Sequence, residues 1–147
     1  MIIVSACLVG YPCKYNGTDN KIEQIYQLIQ DNKAIAVCPE VLGELSTPRE
    51  PAEIVGGTGE EVLDGKARVM TCKGEDITQA FMIGAEEVLR IAQQANSVKA
   101  ILKERSPSCG STMIYSGEFN QRKIPGCGVT TALLRRNGIE VVSEESI

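Results

Sequence analysis

Six cysteines and no histidine set the chemical limits of this 147-residue chain. Without imidazole there is no Ser-His-Asp or Cys-His triad, no HExxH zinc site and no histidine pH switch. The groups left for chemistry are thiolates, carboxylates, hydroxyls, amines and whatever cofactor they can hold. The cysteines stand at positions 7, 13, 38, 72, 109 and 127, with no CxxC pair and no ferredoxin-like run. Local spacing therefore indicates no conventional structural zinc module, and any shared site must be assembled by the fold.

The elements that would do this are legible in the apolar pattern. Ile2 to Ser5 is a short β-branched run that reads as a strand, and after a loop comes a helix over Asn20 to Gln30. Its apolar face is Ile22, Ile25, Tyr26, Leu28 and Ile29; Thr18, Asp19 and Asn20 offer N-cap chemistry before it. Ala34 to Val37 reads as a second buried strand, followed by a Pro/Gly-rich segment from Pro39 to about Gly59 of the length usual for functional loops. Val62 to Val69 reads as a small hairpin around Asp64-Gly65. The strongest helix spans about Thr78 to Gln94, Val98 to Leu102 is a third core strand, and a long loop leads to a helix from Thr130 to Arg136 and a last strand, Ile139 to Val142. Apolar strands alternating with amphipathic helices predict an α/β sandwich with a mainly parallel sheet and a small β-hairpin insertion, in one domain over residues 1–147.

A net charge of −4 with scattered basic residues argues against nucleic acid as a partner, since phosphate binding draws on clustered Lys and Arg. The opening MIIVSACLVGYPC lacks a basic n-region, and its apolar stretch is too short for a signal peptide or a membrane span, so the expected location is cytoplasmic. Thiols stay reduced there and are expected as ligands, nucleophiles or buried residues, not as disulfides.

In a parallel sheet the C-terminal strand ends share one edge, where such folds bind ligands. Cys7 follows the first strand, Cys38 follows the second directly, and Cys109 lies in the loop leaving the third, so all three are expected at one crevice. Cys13 is either a fourth ligand or a nearby thiol. Cys72 reads as a buried small hydrophobe, and Cys127, in IPGCGVT, either approaches the site or fills a tight turn. Glu40 follows Cys38 with only the stiff Pro39 between, so beside a Cys38-bound metal it is a supporting carboxylate or the proton carrier of a site without histidine, and otherwise a solvated helix-start residue. Ser106, Ser108, Ser111 and Thr112 surround Cys109 with hydroxyls suited to an anion or the polar edge of a heterocycle. Lys103 and Arg105 either add positive charge there or lie solvated. Arg49, in TPREP, suits a bidentate ligand contact or an ion pair with a neighbouring carboxylate.

SACLVGYPCKYNG (5–17), VCPEVLGELSTPREPAEI (37–54), LKERSPSCGS (102–111) and GCGVTTALLRRNGIEVVSEE (126–145), in that order, resemble the thiouracil desulfurase family over nearly the whole chain. The resemblance implies a Rossmann-like three-layer domain carrying a [4Fe–4S] cluster on three cysteines, one iron lacking a protein ligand. The matching residues are Cys7, Cys38 and Cys109, with Cys13 the alternative first-loop ligand. It further implies an enzyme that cleaves a C–S bond, removing sulfur from 2-thiouracil or a related small thiolated heterocycle without net oxidation. The open iron would take the thiocarbonyl sulfur as a thiophilic Lewis acid. Glu40 would shuttle protons, Ser106 would orient the substrate, and Ser108 and Arg49 would contact it. Such a cluster is expected to be lost from protein prepared in air. Two other readings use the same thiols: a non-catalytic zinc module with four thiolates including Cys13, and a thiol-redox protein bridging Cys7 and Cys13.

Overall fold

The computed structural model describes all 147 residues. β1 (Ile2–Ser5) runs through a 3-10 turn (Ala6–Val9) and a loop to α1 (Glu23–Gln30), then to β2 (Ala34–Val37) and the one-turn α2 (Pro39–Leu42). β3 (Ala52–Val55), α3 (Gly59–Leu63) and β4 (Arg68–Thr71) precede the long α4 (Thr78–Gln94) and β5 (Lys99–Leu102). β6 (Met113–Tyr115) and β7 (Lys123–Pro125) lead to α5 (Val129–Arg136), β8 (Glu140–Ser143) and a closing 3-10 turn (Glu144–Ser146).

β2, β1, β5 and β8 form, in that order, a fully parallel four-stranded sheet. Successive side chains alternate across it, as strand geometry requires. Ile3, Ala100, Leu102 and Val141 pack on one side against Val88 and Ala92 of α4 and Leu134 of α5. Val4 and Ile101 pack on the other side with Ile25 of α1 and Leu8 of the first turn. The result is the helix, sheet, helix sandwich that the alternation of apolar runs predicts. A third cluster, built on Ile54, Val69, Phe81, Ile114 and Val129, fastens two small antiparallel hairpins, β3–β4 and β6–β7, beside the main sheet.

Several local expectations change. Val62 to Val69 is not a hairpin: α3 ends just before Asp64, and β4 pairs with the distant β3, Ile54 opposite Val69. The helix is set by a capping box, in which the Glu61 carboxylate accepts from Thr58 N at 2.8 Å while Thr58 caps the first turn. The segment after Pro39 is likewise not structureless, since it holds α2 and β3. α1 begins at Glu23, so Asn20 lies outside it and does not cap it. α2 crosses α4 at very short range: a Cβ on Gly84 would lie 2.0 Å from Pro39 O, and one on Gly43 would lie 2.1 Å from Ala80 O. Only glycine at both contacts lets the two backbones approach this closely.

Candidate active site

At the C-terminal edge of the sheet, β1 has β2 on one side and β5 on the other, so the chain's order reverses there and the loops part into a crevice. It holds a cavity of about 690 Å³ with Cys7, Cys13, Cys38, Cys109, Glu40 and Ser106 on its wall. Cys7 sits in the 3-10 turn directly after β1, a turn closed by Gly10 at φ +101°. Cys38 is the N-cap of α2 in extended conformation, and Pro39 fills the first helical position, aiming Cys38 and Glu40 at the same space. The three cysteines at strand ends do converge, and Cys13 joins them.

The loop that carries Ser106 and Cys109 is fixed from inside by Glu104. Its buried carboxylate accepts from Ser111 N (2.8 Å), Arg105 N and Thr112 N (both 3.1 Å) and from the Ser111 and Thr112 hydroxyls (both 2.9 Å). Burial pushes this acid up, but the donors from Thr112 and Ser111 outweigh it and bring its pKa down to about 2. From outside, the first turn of α5 donates Val129 N to Pro107 O and Thr130 N to Ser108 O, both at 2.9 Å. Ser106 Oγ accepts from Ser108 N and Cys109 N at 3.1 Å each and lies 2.9 Å from Ser108 Oγ. The Ser108 hydroxyl in turn donates to Glu40 Oε1. Ser106 thus forms the wall, whereas Ser108 is fully buried and absent from the cavity surface. A direct substrate contact for Ser108 is replaced by a link from Ser106 to Glu40.

Glu40 also accepts from the Cys38 thiol at 3.3 Å and lies 3.6 Å from Arg49 Nη2. Arg49 donates to Cys13 O at 2.9 Å as well. Its guanidinium thus ion-pairs with Glu40, ties it to the Cys13 loop and also lines the cavity. Lys103 Nζ pairs with Glu144 at 3.1 Å while lying on the cavity wall, so it is not solvated surface. Arg105 pairs with Glu145 at 2.7 Å. Cys127 is buried away from the cavity and occupies the turn before α5. Cys72 is exposed, not a buried hydrophobe: it follows β4 at the cavity rim, its thiol 3.5 Å from Glu50 Oε2.

Three of the cavity thiols, Cys7, Cys38 and Cys109, are held against ionisation. Burial, reinforced by Cys13, pushes Cys7 up to about 12, with the Asn20 amide pulling the other way. Burial and the Glu40 charge raise Cys109 well above the usual thiol range. Cys38 is raised by its hydrogen bond to Cys13 and by burial, and the same bond lowers Cys13. Cys13 acts on both Cys7 and Cys38, and all six cysteines are free.

The model of the family described as 2-thiouracil desulfurase matches residues 2–146. The chain belongs to this family. It is 52% identical, over all of its length and 97% of the relative's, to the uncharacterized protein YbbK of Bacillus subtilis (strain 168). A solved structure of a protein named [4Fe–4S]-dependent thiouracil desulfidase TudS superposes with a TM-score of 0.89 at 45% identity, covering 99% of this chain and 91% of that one.

The donor set suits a multi-iron group better than a single ion. No three thiols and carboxylates of the chain are gathered around a single-ion position. Free thiols spread around one cavity instead match a ligand several ångströms across. Burial and negative charge disfavour the thiolates of Cys7, Cys38 and Cys109 until a cation compensates, which iron does outright. One further buried group, Asn20 Nδ2, borders this set with no hydrogen-bond partner. Neither Glu104 nor Asn20 stood out in the sequence, Glu104 for want of any motif and Asn20 because its neighbours read as a helix cap.

Proposed function

We propose that this chain hydrolyses the C–S bond of 2-thiouracil or a related thiolated heterocycle, using a [4Fe–4S] cluster held by the thiolates of Cys7, Cys38 and Cys109. Water replaces sulfur at carbon, so thiouracil and water become uracil and hydrogen sulfide with no electrons gained or lost. The observation that carries this reading is the meeting of these thiols with Glu40 in one cavity, in a chain that matches the family almost end to end. When bound, the cluster supplies an iron without a protein ligand, a thiophilic Lewis acid for the thiocarbonyl sulfur.

The chain's own groups do the rest. Glu40 takes a proton from the attacking water and returns one to the departing sulfur or ring nitrogen. Arg49 and the Ser108 hydroxyl hold its two oxygens in place. Ser106, on the wall, presents its hydroxyl to the polar edge of the ring. Tyr115 and Phe119 line the same cavity and offer ring faces to a planar heterocycle. Cys7, in the turn directly after β1, is taken as the first-loop ligand, and Cys13 as the neighbouring thiol. One domain carries the whole site, acting on a small molecule in the cytoplasm; no helix is long and apolar enough to cross a membrane.

Anaerobic reconstitution tests the reading. The protein is expected to take up about four iron and four sulfide per chain, to show broad visible absorption, and to form uracil and sulfide from 2-thiouracil. Full loading without either product would overturn the activity. A Cys38→Ala variant that kept a full cluster would overturn the ligand set.

A further inference from the structure

Asn20 combines three features that the reaction as described does not use. Its Oδ1 accepts from Lys14 Nζ at 3.2 Å. Ammonium only donates, so this contact orients the amide with oxygen toward Lys14 and nitrogen away from it. Its backbone is strapped to the turn that carries Cys7: Asn20 N donates to Cys7 O and Ile22 N to Leu8 O, both at 2.8 Å. Nδ2 is buried at the cavity with no partner of its own. Such orphaned donors are rare because a buried N–H without an acceptor is disfavoured.

The Cys7 side chain lines the same cavity, on the turn to which Asn20 N is bonded. A neutral thiol is a weak acceptor and leaves Nδ2 unpartnered, whereas a thiolate is a strong one. We propose that Asn20 is a positioning residue for the cofactor: its Nδ2–H donates to the Cys7 sulfur once that sulfur is an iron-bound thiolate. This rests on the reading of Cys7 as a cluster ligand. The bond draws electron density from sulfur, weakens its donation to iron and raises the cluster's reduction potential, keeping the bound iron a better Lewis acid. It also holds the Cys7 turn in its ligating position, because Asn20 N and Ile22 N each bond to that turn.

The experiment uses the reconstituted holoprotein and two variants. Asn20→Leu removes the donor at similar volume, and Asn20→Asp replaces it with a carboxylate that repels the thiolate. Both are expected to lower the reduction potential measured by anaerobic titration, Asp more than Leu. Both should also lose iron to a chelator about ten-fold faster or more, the usual effect of removing a partner of a metal ligand. A variant that fails to fold is replaced by the unmodified chain labelled with nitrogen-15 in the asparagine side-chain amides. The reduced cluster of that protein should show a hyperfine coupling to one such nitrogen. Variants with unchanged potential and iron retention, or an absent coupling, would overturn the role of Asn20. Failure of the underlying reading looks different: Cys7→Ala would then retain a full cluster, or the unmodified chain would bind none.

Discussion

Glu40 sits among a thiol, a guanidinium and a hydroxyl, with Cys38, Arg49 and Ser108 each claiming part of its carboxylate. Of these partners only Cys38 is a proposed ligand, so removing the charge at Glu40 should separate proton transfer from cofactor binding. Glu40→Gln keeps the shape and is expected to lower turnover by roughly 10²- to 10⁴-fold, the range for losing a general acid or base. Iron content and the visible spectrum should remain those of the unmodified protein; a parallel loss of iron would make Glu40 part of the cofactor's support. The residues at this scale were unevenly legible. Cys7, Cys38, Cys109 and Glu40 could be picked out because their types are chemical and they fall just after apolar strand-like runs. Arg49 suits two roles by its type, and the ion pair with Glu40 is visible only in the fold. Ser106 and Ser108 look alike in sequence, and burial alone separates wall from support.

At the scale of elements, the cavity depends on how α2 is held. Its four residues carry Glu40 and follow Cys38, and they are pressed onto α4 through Gly84 and Gly43. A methyl group at Gly84 meets Pro39 O at 2.0 Å, and backbone cannot rotate away as a side chain can. Gly84→Ala should therefore push α2 outward, at a cost of about 1–3 kcal/mol typical of overpacking. Thermal melting should fall, and the reconstituted protein should hold less iron, because Cys38 moves with Pro39. A variant that melts lower yet loads fully would show that α2 can shift without Cys38. The main strands and α4 were legible because burial on both faces writes continuous apolar runs. The small hairpins were not, since β3 pairs with β4 across an intervening helix and no local turn announces it. The capping pattern Thr58 to Glu61 was the readable signal for that helix, overshadowed by Asp64-Gly65, which ends the helix and does not turn a hairpin.

For the whole molecule, Glu104 ties the site to global stability. It follows β5 and is only 3% exposed, and its N–H donates to Glu144 in the closing turn after β8. With its pKa depressed from 4.5 to about 2, the ionised form stabilises the fold. This contribution is complete above about pH 5 and is lost as pH falls from about 4.5 toward 2, because the unfolded chain then binds the proton first. The shift corresponds to roughly 3 kcal/mol. Urea unfolding at neutral pH should find Glu104→Gln less stable by about that amount, with the deficit shrinking as both proteins are acidified. An equal deficit at pH 7 and pH 3 would assign the loss to packing and not to charge.

The amino-acid sequence by itself determined the class of fold, the exclusion of imidazole chemistry, and the grouping of three thiols at one sheet edge. These follow from local properties: residue type, apolar periodicity, and the rule that parallel strands end on the same side. Only the tertiary structure decided that Cys13 joins the cavity, that Cys72 is exposed and Cys127 set apart, and that Asn20 borders the thiols with an unpartnered donor. These depend on which loops meet in space, and contacts between residues far apart in the chain leave no trace in local pattern. A thiol's type is written in the chain; its charge, burial and neighbours are properties of the crevice that the folded sheet opens.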